Sequence, residues 1–365
     1  MRTLVPTDDQ QHIADAAREL MQGLWPVERL RDWALHTDAT RWASLAEFGA
    51  FGIGLPEPDG GLGLSCVEEA LVMRECGRAL VPPRAVATLL ATQLAAARGD
   101  TALRDRLLSG AQPVGLLHAA GLHAAGPRLD GRWQALDANG CELLLAWSRA
   151  GCALVERSAL VLRTGQCIDE TLAVESCEAT AVPTLMWLPA EAAPLSLRAD
   201  VLISALLVGA AEAARDMAAD YARQREAFGQ PIGAFQGVKH ACADTAVRAE
   251  AAWCQTLVAA IGLRDAADKA NNANMADVAA DIAAARWLAG DAAQANAENN
   301  VQIHGGIGFS AEALPHRFVK RAVALRALGL VGRDLRGDLL KAPAAGDCID
   351  RIPATHDNNP LETQT

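Results

Sequence analysis

Hydrophobic positions along this chain keep two different rhythms. Val201, Leu202, Ile203, Leu206, Leu207, Ala210 and Ala214 recur at helical spacing, which predicts a helix continuing to about Arg225. A second long helical pattern opens downstream, and Phe228-Gly229-Gln230-Pro231-Ile232-Gly233 joins the two. Two glycines and a proline allow a compact reversal there. It would present Arg223, Arg225 and Gln236 to one side, a cradle suited to an anion. The N-terminal part is helical by the same criterion, with Thr7 and Gln10 forming a capping box and Ile13, Ala16, Leu20 and Leu24 marking one face.

Near Gln112 the rhythm shortens. Pro113-Val114-Gly115-Leu116-Leu117 opens a stretch of brief apolar runs separated by Gly, Asp, Asn and Pro. Residues 143–146, 153–155, 159–162 and 181–183 read as strands. Helical patterns return near Leu197. The chain therefore divides into a helical unit (1–111), a small β unit (112–193), a helical bundle (194–342) and a disordered tail (343–365) rich in Pro, Asp, Asn and Thr. The fold class is mainly α with a small β domain.

Composition agrees. A hydrophobic share of 51% supports a large core, and an aromatic share of 4% with a single tyrosine favours helix over sheet. Thirty-three basic against 44 acidic residues give a net charge of −11. That argues against a nucleic-acid partner while leaving room for a local basic pocket. Nine cysteines without CxxC spacing read as buried or free thiols in a reducing compartment. The start, MRTLVPTDDQ, has no apolar signal run and no apolar span reaches membrane length, so a cytoplasmic protein is expected. Gly60-Gly61-Leu62-Gly63 looks like a phosphate loop in isolation. With no strand before it and no Lys-Ser or Lys-Thr after it, it reads as a plain turn. His118 and His123 lack Cys or acid support as metal ligands and read as packing or surface residues.

Three blocks carry a family resemblance. Arg225, Phe228-Gly229, Pro231-Ile232, Phe235-Gln236, Lys239-His240, Ala243-Asp244 and Glu250 stand in the order of one C-terminal signature of acyl-CoA dehydrogenases. Gln302-Ile303-His304-Gly305-Gly306-Ile307-Gly308-Phe309, with Glu312, His316 and Lys320-Arg321, resembles the second. Pro56-Glu57, the glycine loop, Glu69 and Glu75-Cys76-Gly77-Arg78 resemble the family's N-terminal domain. The resemblance implies the acyl-CoA dehydrogenase fold: an N-terminal helical domain, a middle β domain and a C-terminal four-helix bundle. It also implies FAD as cofactor, an acyl-CoA substrate and an electron-transfer flavoprotein as electron acceptor. Arg225, Phe228, Gln236, Gln302, Gly305 and Gly306 fall on positions that touch the pyrophosphate and adenosine end of an FAD held mainly by a neighbouring subunit.

The family's chemistry needs a carboxylate to remove the α proton of the thioester while hydride leaves the β carbon. By counting, the commoner base position falls on Gly329 and the alternative on Ala199. Asp200 is one residue, about 100°, away around the helix, and reads as a first-turn acid complementing the helix dipole with Arg198 beside it. The middle unit has Leu117-His118-Ala119-Ala120-Gly121 where the family carries hydroxyls, and Ala146-Trp147-Ser148 is the nearest approach to its flavin-facing stretch. Three readings follow. The chain is a base-lacking partner in an α2β2 enzyme resembling those of bacterial steroid side-chain degradation, or a homotetramer with Asp200 as relocated base, or a flavin-free acyl-CoA-binding scaffold.

Overall fold

The computed structural model of the chain describes residues 4–29, 39–120, 125–267 and 275–328, with 335 and 339. Gly329, His123 and the whole of the expected tail lie outside them. Helices α1 (Asp8–Leu24), α2 (Ala39–Glu47), α3 (Cys66–Arg78), α4 (Arg84–Ala97) and α5 (Thr101–Leu108) come first. The capping box at Thr7 forms, and Ser65 with Glu68 builds another at the start of α3. On α1 the buried seam is Ala14, Ala17 and Met21. Ile13, Leu20 and Leu24 flank it, while Ala16 is exposed, because the helix turns its small residues into the tight contact with α3. In the glycine loop, the amides of Gly61, Leu62 and Gly63 bond to the carbonyls of Pro56, Gly52 and Leu55. Those donors are consumed within the turn, so the loop packs and does not cradle phosphate.

Seven strands follow: β1 (Val114–Ala119), β2 (Arg128–Leu136), β3 (Leu143–Ser148), β4 (Gly151–Glu156), β5 (Arg163–Thr164), β6 (Val174–Pro183) and β7 (Met186–Pro189). They form one sheet in the order β5-β6-β2-β1-β3-β4-β7, antiparallel except for β1 beside β3. Residues 159–162, expected as a strand, instead leave a 3-10 turn at Arg157–Ala159. The amide of Leu160 closes that turn on Arg157 O, burying Leu160 and turning Val161 outward.

The chain then returns to helix with α6 (Leu195–Gln224), a hairpin of β8 (Glu226–Ala227) and β9 (Gln230–Pro231), α7 (Gln236–Ala267), α8 (Met275–His304) and α9 (Pro315–Ala327). All seven apolar positions that define the α6 pattern are buried. One sheet face, with Leu116, Leu145, Trp147 and Cys152, shares the main core with α4, α6 and α8; the other carries a separate cluster around Trp133 and Leu144. Helical units flanking a sheet, in this order, make the acyl-CoA dehydrogenase fold. No helix among the described residues is long and apolar enough to cross a membrane. Every cysteine among them is a free thiol.

Candidate functional site

The first motif block ends α6 and turns back on itself. The Arg225 amide closes the helix on Tyr221 O, and the Ile232 amide bonds to Arg225 O across the hairpin. Phe228 (φ 54°) and Gly229 (φ 81°) both lie in the left-handed region, as a two-residue hairpin turn of primed type requires. The Phe228 side chain is 96% exposed and meets Phe235 edge-on at 6.1 Å. Arg225 and Gln236 are exposed as well. Asp220, a possible partner for Arg225, instead pairs with Arg223 at 2.5 Å. In this arrangement Arg223 is turned to Asp220 in an exposed surface pair, while Arg225 stands at the start of the hairpin.

The second block ends α8. Gln302, in the last turn of α8, and Gly305 and Gly306, on the turn Gly305–Phe309, are exposed. Gly305 has φ 64°, and a methyl group at Gly229, Gly305 or Gly306 would meet nothing within 4 Å. Open space lies over all three. The two blocks are joined by a contact that motif spacing does not reveal: Tyr221 stacks on His304 with ring centroids 4.0 Å apart and 21° between planes. His304 Nδ1–H donates to Asn300 O at 2.8 Å. Burial lowers the pKa of this imidazole, against the opposing effect of that hydrogen bond. The only hint in the sequence is that the chain's single tyrosine falls one turn before Arg225. Tyr221 and His304 also line a cleft of about 650 Å³ between α1, α3 and α6, floored by Met21, Trp25 and Met217.

The base positions lie elsewhere. Ala199 and Asp200 are in the second turn of α6, both buried, so Asp200 is not the first-turn acid complementing the helix dipole that the sequence suggests. Nor does Arg198 attend it. Arg198 Nη1 pairs with Glu69 at 2.9 Å, and Gln93 Nε2 donates to the same carboxylate at 2.6 Å. Among the described residues, Arg286 Nε of α8 lies 3.9 Å from Asp200 Oδ1, beyond hydrogen-bond distance. Across from them on the sheet, burial, aided by Arg286, lowers His118 to about 4, and burial, aided by Asp200, pushes Cys152 up to about 12. Neither is tuned to abstract a proton near neutral pH. Trp147 is buried on the same sheet face.

Two family models match: the acyl-CoA dehydrogenase N-terminal domain over residues 7–112 and the acyl-CoA dehydrogenase C-terminal domain over 199–332. Acyl-CoA dehydrogenase IpdE2 of Mycobacterium tuberculosis is 31% identical over 288 residues, 78% of this chain and 80% of that one. Acyl-CoA dehydrogenase FadE34 of the same organism is 33% identical over 356 residues, covering 90% of this chain. The match takes in 47% of FadE34, so the chain spans about half the length of that relative. Among solved structures, the ChsE4-ChsE5 complex from Mycobacterium tuberculosis superposes with a TM-score of 0.76 at 22% identity, covering 97% of this chain and 100% of the matched one. Sequence, element order and sheet topology agree that the chain belongs to the acyl-CoA dehydrogenase family.

Proposed function

We propose that this chain is the partner subunit of a heteromeric acyl-CoA dehydrogenase, completing an FAD site whose flavin end and catalytic Glu belong to another chain. One observation carries the reading. Arg225, Phe228, Gln236, Gln302, Gly305 and Gly306 are all exposed, with open space over the glycines, as a surface offered outward would be. Their chemistry fits the pyrophosphate and adenosine end of the dinucleotide. Arg225 supplies a charge-assisted, bidentate donor, the two glutamines neutral hydrogen bonds, Phe228 an aromatic face, and Gly305-Gly306 close backbone approach. The Tyr221–His304 stack holds the two blocks in one surface. FAD, when bound, accepts hydride from the β carbon of the acyl thioester; this chain's residues orient it and shield its far end from water.

The likeness to one chain of the ChsE4-ChsE5 complex supports a heteromer. The substrate class is a bulky acyl-CoA of the steroid side-chain type, with an electron-transfer flavoprotein as acceptor and the cytoplasm as compartment. The units 1–111, 112–193 and 194–342 serve as N-terminal, middle and C-terminal domains. Flavin per chain, read from absorbance, tests the reading. Purified alone the protein is expected to be colourless, and one FAD is expected per mixed pair after co-purification with a catalytic acyl-CoA dehydrogenase. One FAD per chain in the isolated protein, bleached by acyl-CoA, would establish a self-sufficient dehydrogenase instead.

A further inference from the structure

The cleft behind the Tyr221–His304 stack is a space for which the half-site reading has no use. At about 650 Å³ it has the size of a small-molecule site, and Met21, Trp25, Met217 and Phe318 give it an apolar floor. Its walls are charged. Arg18 and Arg78 stand there with Glu28, Glu75, Asp216 and Asp220, two guanidiniums against four carboxylates. Both guanidiniums are committed: Arg18 donates to Glu75 at 3.0 and 3.2 Å, and Arg78 donates to Asp216 at 2.6 Å and Glu212 at 3.2 Å. Arg41, which lies 5.8 Å over the Trp25 ring, does not line the cleft.

Acceptors are left over. Among the described residues Glu28 makes no hydrogen bond or ion pair, and the Tyr221 hydroxyl makes no hydrogen bond. Asp220 has Arg223 as its partner, with side chains 61% and 73% accessible, and an exposed pair of that kind holds weakly. A carbonyl only accepts, so His304 spends its Nδ1–H on Asn300 O, and burial favours the neutral ring. Its Nε2 is then an acceptor too. Such a lining repels an anion and suits a ligand rich in N–H donors. We propose that the cleft binds a small organic cation on a short apolar stem, an alkylguanidinium or alkylammonium compound. The stem lies on the methionine and aromatic floor, and the head meets Glu28 and Asp220, the two exposed acids at the rim. This site does not depend on a partner completing an FAD site.

The test titrates the full chain with three probes and reads probe line width by NMR and the thermal midpoint of the protein. Butylguanidinium carries head and stem, N-butylurea has the same stem with an uncharged planar head, and methylguanidinium keeps the head with almost no stem. Butylguanidinium is expected to raise the midpoint and to bind about tenfold more tightly than either of the others. In the combined variant Glu28→Gln, Asp220→Asn its advantage over the urea should disappear; both positions are exposed, so the variant should fold as the wild type does. Equal affinity for the guanidinium and the urea overturns the cation site, and equal affinity for the two guanidiniums overturns the role of the apolar floor. Failure of butylguanidinium to bind at millimolar concentration, or undiminished binding to the combined variant, also overturns the proposal. Failure of the half-site reading shows separately, as FAD content that does not rise on mixing wild-type chain with a catalytic relative.

Discussion

Phe228 holds a left-handed backbone conformation with its ring almost wholly in solvent. That conformation costs an L-residue about 1–2 kcal/mol, and no buried area offsets it. Asn tolerates the conformation and favours this turn, so Phe228→Asn is expected to stabilise the hairpin by about 1 kcal/mol. The same change should lower the FAD retained by the mixed pair. Amide exchange across 226–231 and flavin absorbance measure the two effects; unchanged flavin would mean the ring has no part in cofactor binding. His118 gives a second residue-scale prediction. Unfolded histidine titrates near 6.5, and in the fold it titrates at about 4. Between those values the unfolded chain binds the extra proton, so stability falls as pH drops from about 6.5 to about 4, by up to about 3 kcal/mol. Urea unfolding across that range should show the slope, and His118→Leu should flatten it. The exposure of the proposed surface was open to a reading by motif, because Arg225 and Gln302 stand at a helix end and on a last helical turn where the backbone itself places them outward. The approach of Arg286 to Asp200 was not, because it joins helices far apart in the chain and only packing decides which cation meets which acid.

At the scale of elements, α3 and α6 cross in direct backbone contact. A methyl group on Gly209 would run into Arg74 O, and one on Gly77 into Leu206 O. Arg74 and Arg78 clamp the crossing through Glu212, at 2.6 and 3.2 Å, and Arg78 also binds Asp216 at 2.6 Å. This gives Glu75-Cys76-Gly77-Arg78 a packing role independent of catalysis. Gly209→Ala should therefore destabilise by about 3 kcal/mol despite its better helix propensity; a thermal midpoint at or above wild type would show that the helices can separate freely. Helices were easy to read because their apolar positions persist over many turns. Strand β2 escaped because a register shift between Leu129 and Gly131 breaks its alternation. Residues 159–162 misled because a short apolar run fits a tight turn over one buried leucine as well as it fits a strand.

Across the whole molecule, Arg321 binds groups from all three units. It belongs to α9, donates to Asp169 at 2.6 Å and Thr171 at 2.7 Å in the loop between β5 and β6, and reaches Leu80 O and Val81 O after α3. Burial alone would raise the Asp169 carboxyl, but Arg321 and Thr171 hold it below its ordinary value. Its stabilising contribution is thus present above the unfolded value near 3.9 and lost as pH falls through the folded one. Lys320-Arg321 entered as part of a family signature, and its physical work here is bracing: Lys320 adds a 2.6 Å pair to Glu170 of the same loop. Arg321→Met strands a buried carboxylate and should destabilise by about 3–5 kcal/mol. Arg321→Lys keeps the charge but cannot replace a planar fork that reaches four acceptors, so it should recover only part of the loss. With the brace gone, sheet and bundle should melt separately, so that tryptophan fluorescence and far-UV circular dichroism no longer report one transition. The hairpin and the α8 terminus, which carry the outward surface, make no contact with Arg321 in this network. Below the first transition, a mixed pair containing the methionine variant should therefore still hold one FAD if the proposed half-site is correct, separating the residues that keep the chain together from those proposed to serve a partner.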